Sequence, residues 1–323
     1  MAVICYHAKT PLVWSLAQVV SSVWLTSALS MPTTVDVALK GAESFAWSQW
    51  GPGPREARAP VEVPEYKEGY TPDLSRPFIV RGLLHGDRVL DSWTAEFFEQ
   101  PPVGDLVVDF FSDARRFDTV PDARAPLMDI IRNITAGGPQ KIGTEMVFRR
   151  FPELLHNLNT TWLQEVFQYR FDSSQIGQTL TMPLFYARGL PGLTTRTDLH
   201  CEPIGNAMLM VSGSKRWLML PPSQSSWLRP QVAPDGRAYV YATLDPTDPA
   251  LQALERYEVL VEAGDMLWVP PWTWHRVDYI PAVAALSVSL FHFRALEFLM
   301  NNPLFALSLW PNLLKEALGL KMQ

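Results

Sequence analysis

The chain has 323 residues, of which 47% are hydrophobic and 19% are charged, and its formal net charge is −6 at pH 7. This composition fits a globular protein with a sizeable core and excludes wholesale disorder. Two cysteines are too few for a disulfide scaffold or for a zinc site built from several thiolates, and the acidic balance gives no overall attraction for nucleic acid. Twelve tryptophans and 28 prolines favour a β-rich fold with many turns over a helical bundle.

The N-terminal segment, residues 1–35, has no charged residue from Thr10 to Val35. Three interpretations stay open: a secretory signal peptide, a membrane anchor, or a helix packed on the domain. The first two predict a secretory, organellar or membrane-anchored protein with membrane contact through residues 10–35, and the third predicts a cytoplasmic one. The packed helix is favoured by a polar stripe at helical spacing, formed by Ser15, Gln18, Ser22 and Thr26.

The remaining chain divides into three parts. Residues 36–75 form a proline-rich arm, residues 76–294 form the predicted catalytic domain, and residues 295–323 form a helical tail that we expect Pro303 and Pro311 to break. From Met182 onward, short apolar runs alternate with turn residues, which is typical of a β-sandwich or barrel.

A candidate metal site begins in this β-rich part. His200 and Glu202 are two residues apart, so on a strand they point to the same face. His275, which follows a cluster of prolines and tryptophans, is the candidate third ligand. Two histidines and one carboxylate on one face of a metal leave open positions, and this arrangement suits non-haem Fe(II).

Lys215 falls on an apolar strand just after the hairpin glycine Gly213. A lysine is costly there unless its charge has a partner, and a buried dicarboxylate ligand would supply that partner. Alternation predicts that Lys215 points inward together with Trp217 and Met219. The alternative is a lysine on an exposed edge.

Taken together, these motifs resemble the JmjC and cupin-like family of Fe(II)/2-oxoglutarate-dependent oxygenases, and most of all the branch that contains the asparaginyl hydroxylase of the hypoxia response. The resemblance covers roughly residues 76–294. The matching positions are Thr197 three residues before His200, Asn206 six after it, Lys215 fifteen after it in a Gly-x-Lys-Arg context, and His275 after Gly-Asp-x-Leu-x-Val-Pro. The family's last core strand often carries an asparagine near the metal, and the corresponding residue here is Ser289.

The resemblance implies a mainly β fold with flanking helices, the double-stranded β-helix or cupin jelly roll. It implies Fe(II) held by His200, Glu202 and His275, with 2-oxoglutarate and dioxygen as co-substrates. Lys215 and Thr197 would bind the far carboxylate of 2-oxoglutarate, Asn206 would help to position it, and Ser289 would lie close by.

The implied reaction is hydroxylation of a protein side chain with release of succinate and carbon dioxide. Lysine demethylation, hydroxylation of a small molecule, and a non-catalytic cupin-fold binding protein are the alternatives. We expect a protein or peptide substrate, with a small molecule and a homodimer left open and no nucleic-acid partner. Trp217 and Trp268 are predicted to lie in the core, whereas Trp272 and Trp274 could equally line a pocket.

Overall fold

The computed structural model describes residues 57–114, 121–167, 179–193, 195–232, 239–244 and 248–317. The predicted N-terminal segment, with its signal, anchor or packed helix, lies outside the described residues, as does the first half of the predicted arm. Within the described residues, no helix combines the length and the apolar character that crossing a membrane requires.

Two seven-stranded sheets form the body of the molecule. The strands of the first sheet are β1 (Val61–Glu62), β8 (His200–Cys201), β10 (Ser214–Leu220), β11 (Pro230–Val232), β12 (Val240–Ala242), β13 (Tyr257–Glu262) and β15 (Trp274–Tyr279). Their spatial order is β1-β13-β10-β15-β8-β12-β11. The β1–β13 pair is parallel, and the other neighbouring strands of this sheet pair in antiparallel fashion.

The strands of the second sheet are β2 (Phe78–Val80), β5 (Lys141–Thr144), β6 (Thr179–Thr181), β7 (Leu184–Arg188), β9 (Gly205–Ser212), β14 (Met266–Val269) and β16 (Ala284–His292). They run in the order β2-β14-β9-β16-β7-β5, and β6 also pairs with β16. Two further strands, β3 (Val107–Phe110) and β4 (Ala123–Pro126), form a separate antiparallel pair.

The core between the two sheets follows from strand alternation. On β10, Trp217 and Met219 point inward beside Lys215, and Met208 and Met210 of β9 meet them from the second sheet. Two mainly antiparallel sheets closed over one apolar interior form the jelly roll. The predicted fold class, mainly β with a cupin jelly roll, is therefore confirmed.

Helices cover the outside of this core. They are α1 (Val89–Ser92), α2 (Ala95–Phe98), α3 (Leu127–Thr135), α4 (Met146–Arg150), α5 (Thr161–Phe167), α6 (Ala250–Ala253), α7 (Ala295–Asn301), α8 (Pro303–Ala317) and the 3-10 helices Pro152–Asn157 and Pro222–Trp227. The amphipathic helix α3 buries Leu127, Ile130, Ile131 and Ile134, which share one face and join the cluster behind the second sheet.

The C-terminal tail packs against the end of the barrel. Phe298 of α7 and Phe305 and Leu309 of α8 are buried in a cluster that includes Trp272 and Trp274. The expectation that both prolines break the tail is half right. Pro303 starts α8, as proline does at a first helical position, but Pro311 lies inside the helix on its exposed side. Burial of the opposite face outweighs the single backbone hydrogen bond that Pro311 cannot make.

Candidate metal and anion site

His200 and His275 lie side by side on neighbouring strands. Strand β8 pairs with β15 so that His275 is directly opposite His200, and the centroids of the two imidazole rings are 4.3 Å apart. Both histidines were predicted from the sequence as candidate ligands, and the pairing of β8 with β15 brings them together.

Each imidazole uses the same nitrogen for a backbone contact. Nδ1 of His200 is 3.1 Å from the carbonyl oxygen of Asp198, and Nδ1 of His275 is 3.0 Å from that of Thr273. A carbonyl can only accept, so in each neutral ring Nδ1 carries the proton and Nε2 keeps its lone pair. This is the orientation in which a histidine binds a metal ion.

The two rings have very different affinities for protons. Burial, followed by the neighbouring positive charge of His200, lowers the pKa of His275 to about 3. Burial also opposes protonation of His200, but the charge and hydrogen bond of Asp198, followed by the charge of Glu202, outweigh it and raise the pKa of His200 to about 9. The pair therefore accepts one positive charge between its rings and strongly resists a second.

Glu202 lies just beyond the strand that carries His200. Strand β8 ends at Cys201, and the carbonyl oxygen of Glu202 accepts a hydrogen bond of 2.7 Å from the backbone N–H of Trp272. No three His, Cys, Asp or Glu side chains within the described ranges stand close enough together to enclose a metal ion. The structure thus brings the two predicted histidines together, with Glu202 near enough to act on the pKa of His200.

The residues at this end fit a divalent transition metal. Two imidazoles with Nδ1 held by backbone carbonyls, next to carboxylates at Glu202 and Asp198, form a mixed nitrogen and oxygen donor set once His200 gives up its second proton. Such a set suits Fe(II) better than a hard cation such as Mg²⁺, which prefers oxygen alone.

Lys215 forms the other end of the site. Its side chain is 2% exposed, and its Nζ donates a hydrogen bond of 2.6 Å to Oγ of Ser287 across the core. Nζ also lies 5.8 Å from the ring centre of Phe185 and 5.4 Å from that of Tyr279. Burial lowers the pKa of Lys215 to about 7. Within the described part of the chain, no carboxylate pairs with this ammonium group.

The serine that meets Lys215 is not the one that the sequence singled out. Ser287 and Ser289 are both buried on β16, two residues apart, but the bond to Nζ comes from Ser287. The backbone N–H of Ser289 donates to the carbonyl oxygen of Pro183. The role predicted for Ser289 stays a prediction, and Ser287 is a residue that the sequence analysis missed.

Thr197 and Asn206 take different positions. The Oγ1 of Thr197 donates to the carbonyl oxygen of Asp198 at 3.0 Å and accepts from the N–H of Val277 at 3.0 Å, so it holds the segment before β8 against β15. Asn206 is buried on β9, and its Oδ1 has no hydrogen-bond partner among the described residues. An unpartnered buried amide oxygen is costly, which makes Asn206 the better candidate of the two for contact with a ligand.

The tryptophans belong to the core. Trp217 and Trp268 are buried as predicted. Trp272 and Trp274, for which two positions were open, are also fully buried, and their indole nitrogens donate to the carbonyl oxygen of Phe298 and to Oγ of Ser225. Both rings pack against the C-terminal helices, in the buried cluster that includes Phe298 and Phe305.

A double-stranded β-helix that encloses an imidazole pair and a buried lysine defines a cupin-type protein. Comparison with known families agrees: a model described as a cupin-like domain matches residues 73–294, more than half of the chain. The chain belongs to this JmjC-like cupin family, which contains many oxygenases.

Several animal proteins are similar over short stretches. A human protein named HSPB1-associated protein 1 is 30% identical over 98 residues, 28% of this chain and 20% of that protein. A Drosophila melanogaster protein named Jumonji C domain-containing protein 5 is 34% identical over 88 residues, 26% of this chain and 22% of that protein. The chain thus spans about a fifth of the length of the curated relatives that it matches.

Proposed function

We propose that the protein is an Fe(II)/2-oxoglutarate-dependent dioxygenase that hydroxylates a protein side chain. One observation carries the proposal: a single barrel encloses two adjacent imidazoles, each with Nδ1 held by a backbone carbonyl, and a buried lysine with no carboxylate partner among the described residues. The first feature suits the metal, and the second suits a dicarboxylate that chelates it. Family membership supports the same assignment.

His200, His275 and Glu202 would hold the metal ion. The proposal requires the donor groups to draw together when the metal binds, above all the carboxylate of Glu202, because they do not enclose an ion as they stand. Bound Fe(II) supplies the activation of dioxygen, with 2-oxoglutarate oxidised to succinate and carbon dioxide while a C–H bond of the substrate becomes C–OH.

Lys215 would bind the far carboxylate of 2-oxoglutarate. Its ammonium group is sealed from water, so a carboxylate brought next to it forms a strong charge-assisted hydrogen bond. Ser287 orients the ammonium group, and Asn206 offers an amide to the same interior. The apolar walls of the barrel exclude water from this interior.

A protein substrate is favoured by the name of the human relative, which states an association with another protein. Hydroxylation, lysine demethylation and oxidation of a small molecule use the same metal site and differ in the group presented to it. Location in the cell depends on residues 1–35. If they are a signal peptide or an anchor, the protein is secretory, organellar or membrane-anchored, and if they are a packed helix, it is cytoplasmic.

A non-catalytic cupin-fold binding protein is the second candidate. The observation that favours it is the incomplete metal cage: two imidazoles are in place, and no third ligand encloses an ion among the described residues. Such a protein would bind its partner without consuming 2-oxoglutarate.

The experiment incubates the purified full chain with Fe(II), 2-oxoglutarate, ascorbate and candidate peptides. We expect succinate release that stops when a chelator is added, together with a mass increase of about 16, the mass of one oxygen atom, in a substrate peptide. Formaldehyde release from a methylated lysine peptide would instead identify demethylation. A chain that binds neither metal nor 2-oxoglutarate would overturn the proposal in favour of the binding protein.

A further inference from the structure

The two imidazoles differ in one respect that the family motif does not explain. Both point Nδ1 at a carbonyl oxygen, but only His200 also faces a carboxylate, because Oδ1 of Asp198 lies 3.2 Å from its Nδ1. The described contacts of the His275 Nδ1 comprise the carbonyl of Thr273 and no carboxylate. One candidate ligand is therefore held by an anion and the other by a neutral group.

The carboxylate of Asp198 is in an unusual position. Its side chain is 23% exposed, yet its Oδ2 is sealed from water and has no hydrogen-bond partner among the described residues. Its one ion pair among those residues is with His200. Burying a carboxylate costs hydration energy, and a single ion pair does not clearly repay that cost. The position of Asp198 is therefore not explained by a gain in folding stability alone.

A carboxylate on the far nitrogen changes what an imidazole does as a ligand. It fixes the tautomer with the proton on Nδ1, holds the ring plane, and raises the basicity of Nε2 toward a metal. Thr197 supports the arrangement, because its hydroxyl donates to the carbonyl oxygen of Asp198 and so fixes the backbone on which the carboxylate sits.

We propose that Asp198 is a positioning residue that orients His200 and strengthens its bond to the metal ion. The inference rests on the proposed function only for the existence of the metal site. It assigns a role to a residue outside the predicted ligand set, and it predicts that His200 is the stronger of the two histidine ligands.

The test is a titration of the full-length apo chain with Co(II), which reports through its visible absorption bands as well as through heat. Removal of such a carboxylate typically weakens metal affinity ten- to a hundred-fold. We expect a loss of roughly that size for Asp198→Ala. Asp198→Asn keeps the shape and loses the charge, so its loss should be smaller, and Asp198→Glu should recover part of the affinity.

The matched control is Asp278→Asn. Asp278 lies on β15, three residues after His275, but its carboxylate is held by Arg276, and removal of its charge should leave the Co(II) affinity unchanged. The Co(II) absorption bands should shift in the Asp198 variants and not in the control, since only the former alter the ligand field.

The outcomes separate the inference from the proposed function. Failure of the unsubstituted chain to bind Co(II) would overturn the metal site itself. If that chain binds Co(II) and Asp198→Asn and Asp198→Ala bind it equally tightly with the same spectrum, Asp198 has no role toward the metal and the inference is wrong. Should Asp198→Ala fail to fold, the isosteric Asp198→Asn decides.

Discussion

The imidazole end and the lysine end of the candidate site differ in how their buried charges are compensated. At the imidazole end, the protein supplies its own counter-charge, because the carboxylate of Asp198 faces His200 at 3.2 Å and its neighbour His275 stays neutral. At the lysine end, the ammonium group of Lys215 meets a serine hydroxyl and two aromatic rings, and no carboxylate among the described residues.

The difference indicates what each end awaits. The imidazole end is oriented, with Nδ1 of each ring held by a backbone carbonyl, and a metal ion that binds there takes the place of the second proton of His200. The lysine end is sealed and lacks only an anion, which is why burial takes the pKa of Lys215 down to about 7. Under the proposed function, a metal ion chelated by a dicarboxylate would satisfy both ends at once, and the following changes test each end separately.

The largest effect is expected for His275→Ala, which removes one of the two adjacent imidazoles. Saturable Fe(II) binding and succinate release should both be lost, since one histidine with nearby carboxylates is a weak site for this metal. Metal analysis of the reconstituted protein measures the first, and His156→Ala, at an exposed histidine of the Pro152–Asn157 helix, is the control. Unchanged metal content in His275→Ala would show that His275 is not a ligand and that the predicted ligand set is wrong.

The next effect is expected for Lys215→Met, which keeps the stem of the side chain and removes its charge. A charge-assisted hydrogen bond contributes about 1.5–3 kcal/mol, so 2-oxoglutarate should bind roughly ten- to a hundred-fold more weakly. Metal affinity should not change, because the described contacts of Lys215 include no metal ligand. Calorimetry measures both affinities, and Arg216→Met removes the same charge from the next residue of β10, whose side chain is exposed.

If Lys215→Met binds 2-oxoglutarate as tightly as the parent chain, the co-substrate is anchored elsewhere, and Arg276 and Arg294 are the next residues to replace. If it loses the metal instead, Lys215 serves the structure of the barrel. Either result would show that Lys215 does not bind 2-oxoglutarate in the way that the comparison of the two ends assumes.

A pH series sharpens the same point. Below a pH of about 7, Lys215 is charged in the free protein, so its titration should cause no change in the affinity for 2-oxoglutarate as the pH varies. Above it, binding must take up a proton, so the dissociation constant should rise by up to about tenfold per pH unit. Calorimetry of the metal-loaded chain in buffers with different ionisation enthalpies measures this proton uptake. A pH dependence that survives in Lys215→Met would exclude Lys215 as its source.

The same shift makes stability depend on pH. The pKa of Lys215 is about 7 in the folded chain and has a reference value of 10.5, so between these values the unfolded chain binds the additional proton. The contribution of Lys215 to the free energy of unfolding therefore rises as the pH increases from 7 toward 10.5. Denaturant unfolding of the metal-free chain should show this rise, and Lys215→Met should reduce it.

The smallest effect separates the two buried serines. Ser287→Ala removes the hydroxyl that meets Lys215, and a hydrogen bond of about 0.5–1.5 kcal/mol corresponds to an affinity for 2-oxoglutarate lower by roughly two- to tenfold. Ser289→Ala is the control and should change it less. The opposite order of effects would instead support the sequence-based assignment of Ser289.

The sequence predicted the inward direction of Lys215 because strand alternation has a period of two, whereas the cupin jelly roll was implied by the family resemblance. Trp217 and Met219 are unmistakably apolar, and they place Lys215 on the same inner face. The partner of Lys215 could not be predicted in this way. Ser287 and Ser289 lie two residues apart on β16 and share a face, so alternation does not decide which serine meets the lysine.

The ligand set was predictable in part for a similar reason. The spacing of His200 and Glu202 implies a shared face only while the strand continues, and β8 ends at Cys201. Asp198 was overlooked although it also lies two residues from His200, because its contact runs through Nδ1 and depends on ring orientation. The positions of Trp272 and Trp274 depend on the C-terminal helices, which are distant in sequence.

Trp272 connects the turn before His275 to the C-terminal helices. It adopts a left-handed backbone conformation, with φ at 64°, in the turn between β14 and β15 that leads to His275. Its backbone N–H bonds to Glu202, its indole bonds to Phe298, and its ring stacks on that of Phe298 at a centroid distance of 5.6 Å.

One tryptophan thus ties helix α7 to both chain segments that carry candidate ligands of the metal. An L-residue with positive φ is held in place by its surroundings, and Phe298 is part of those surroundings. The cupin-like match ends at residue 294, but a chain cut there would lose the packing that fixes this turn. The C-terminal helices therefore support the candidate metal site from outside, and a change in their position would alter the geometry of its candidate ligands.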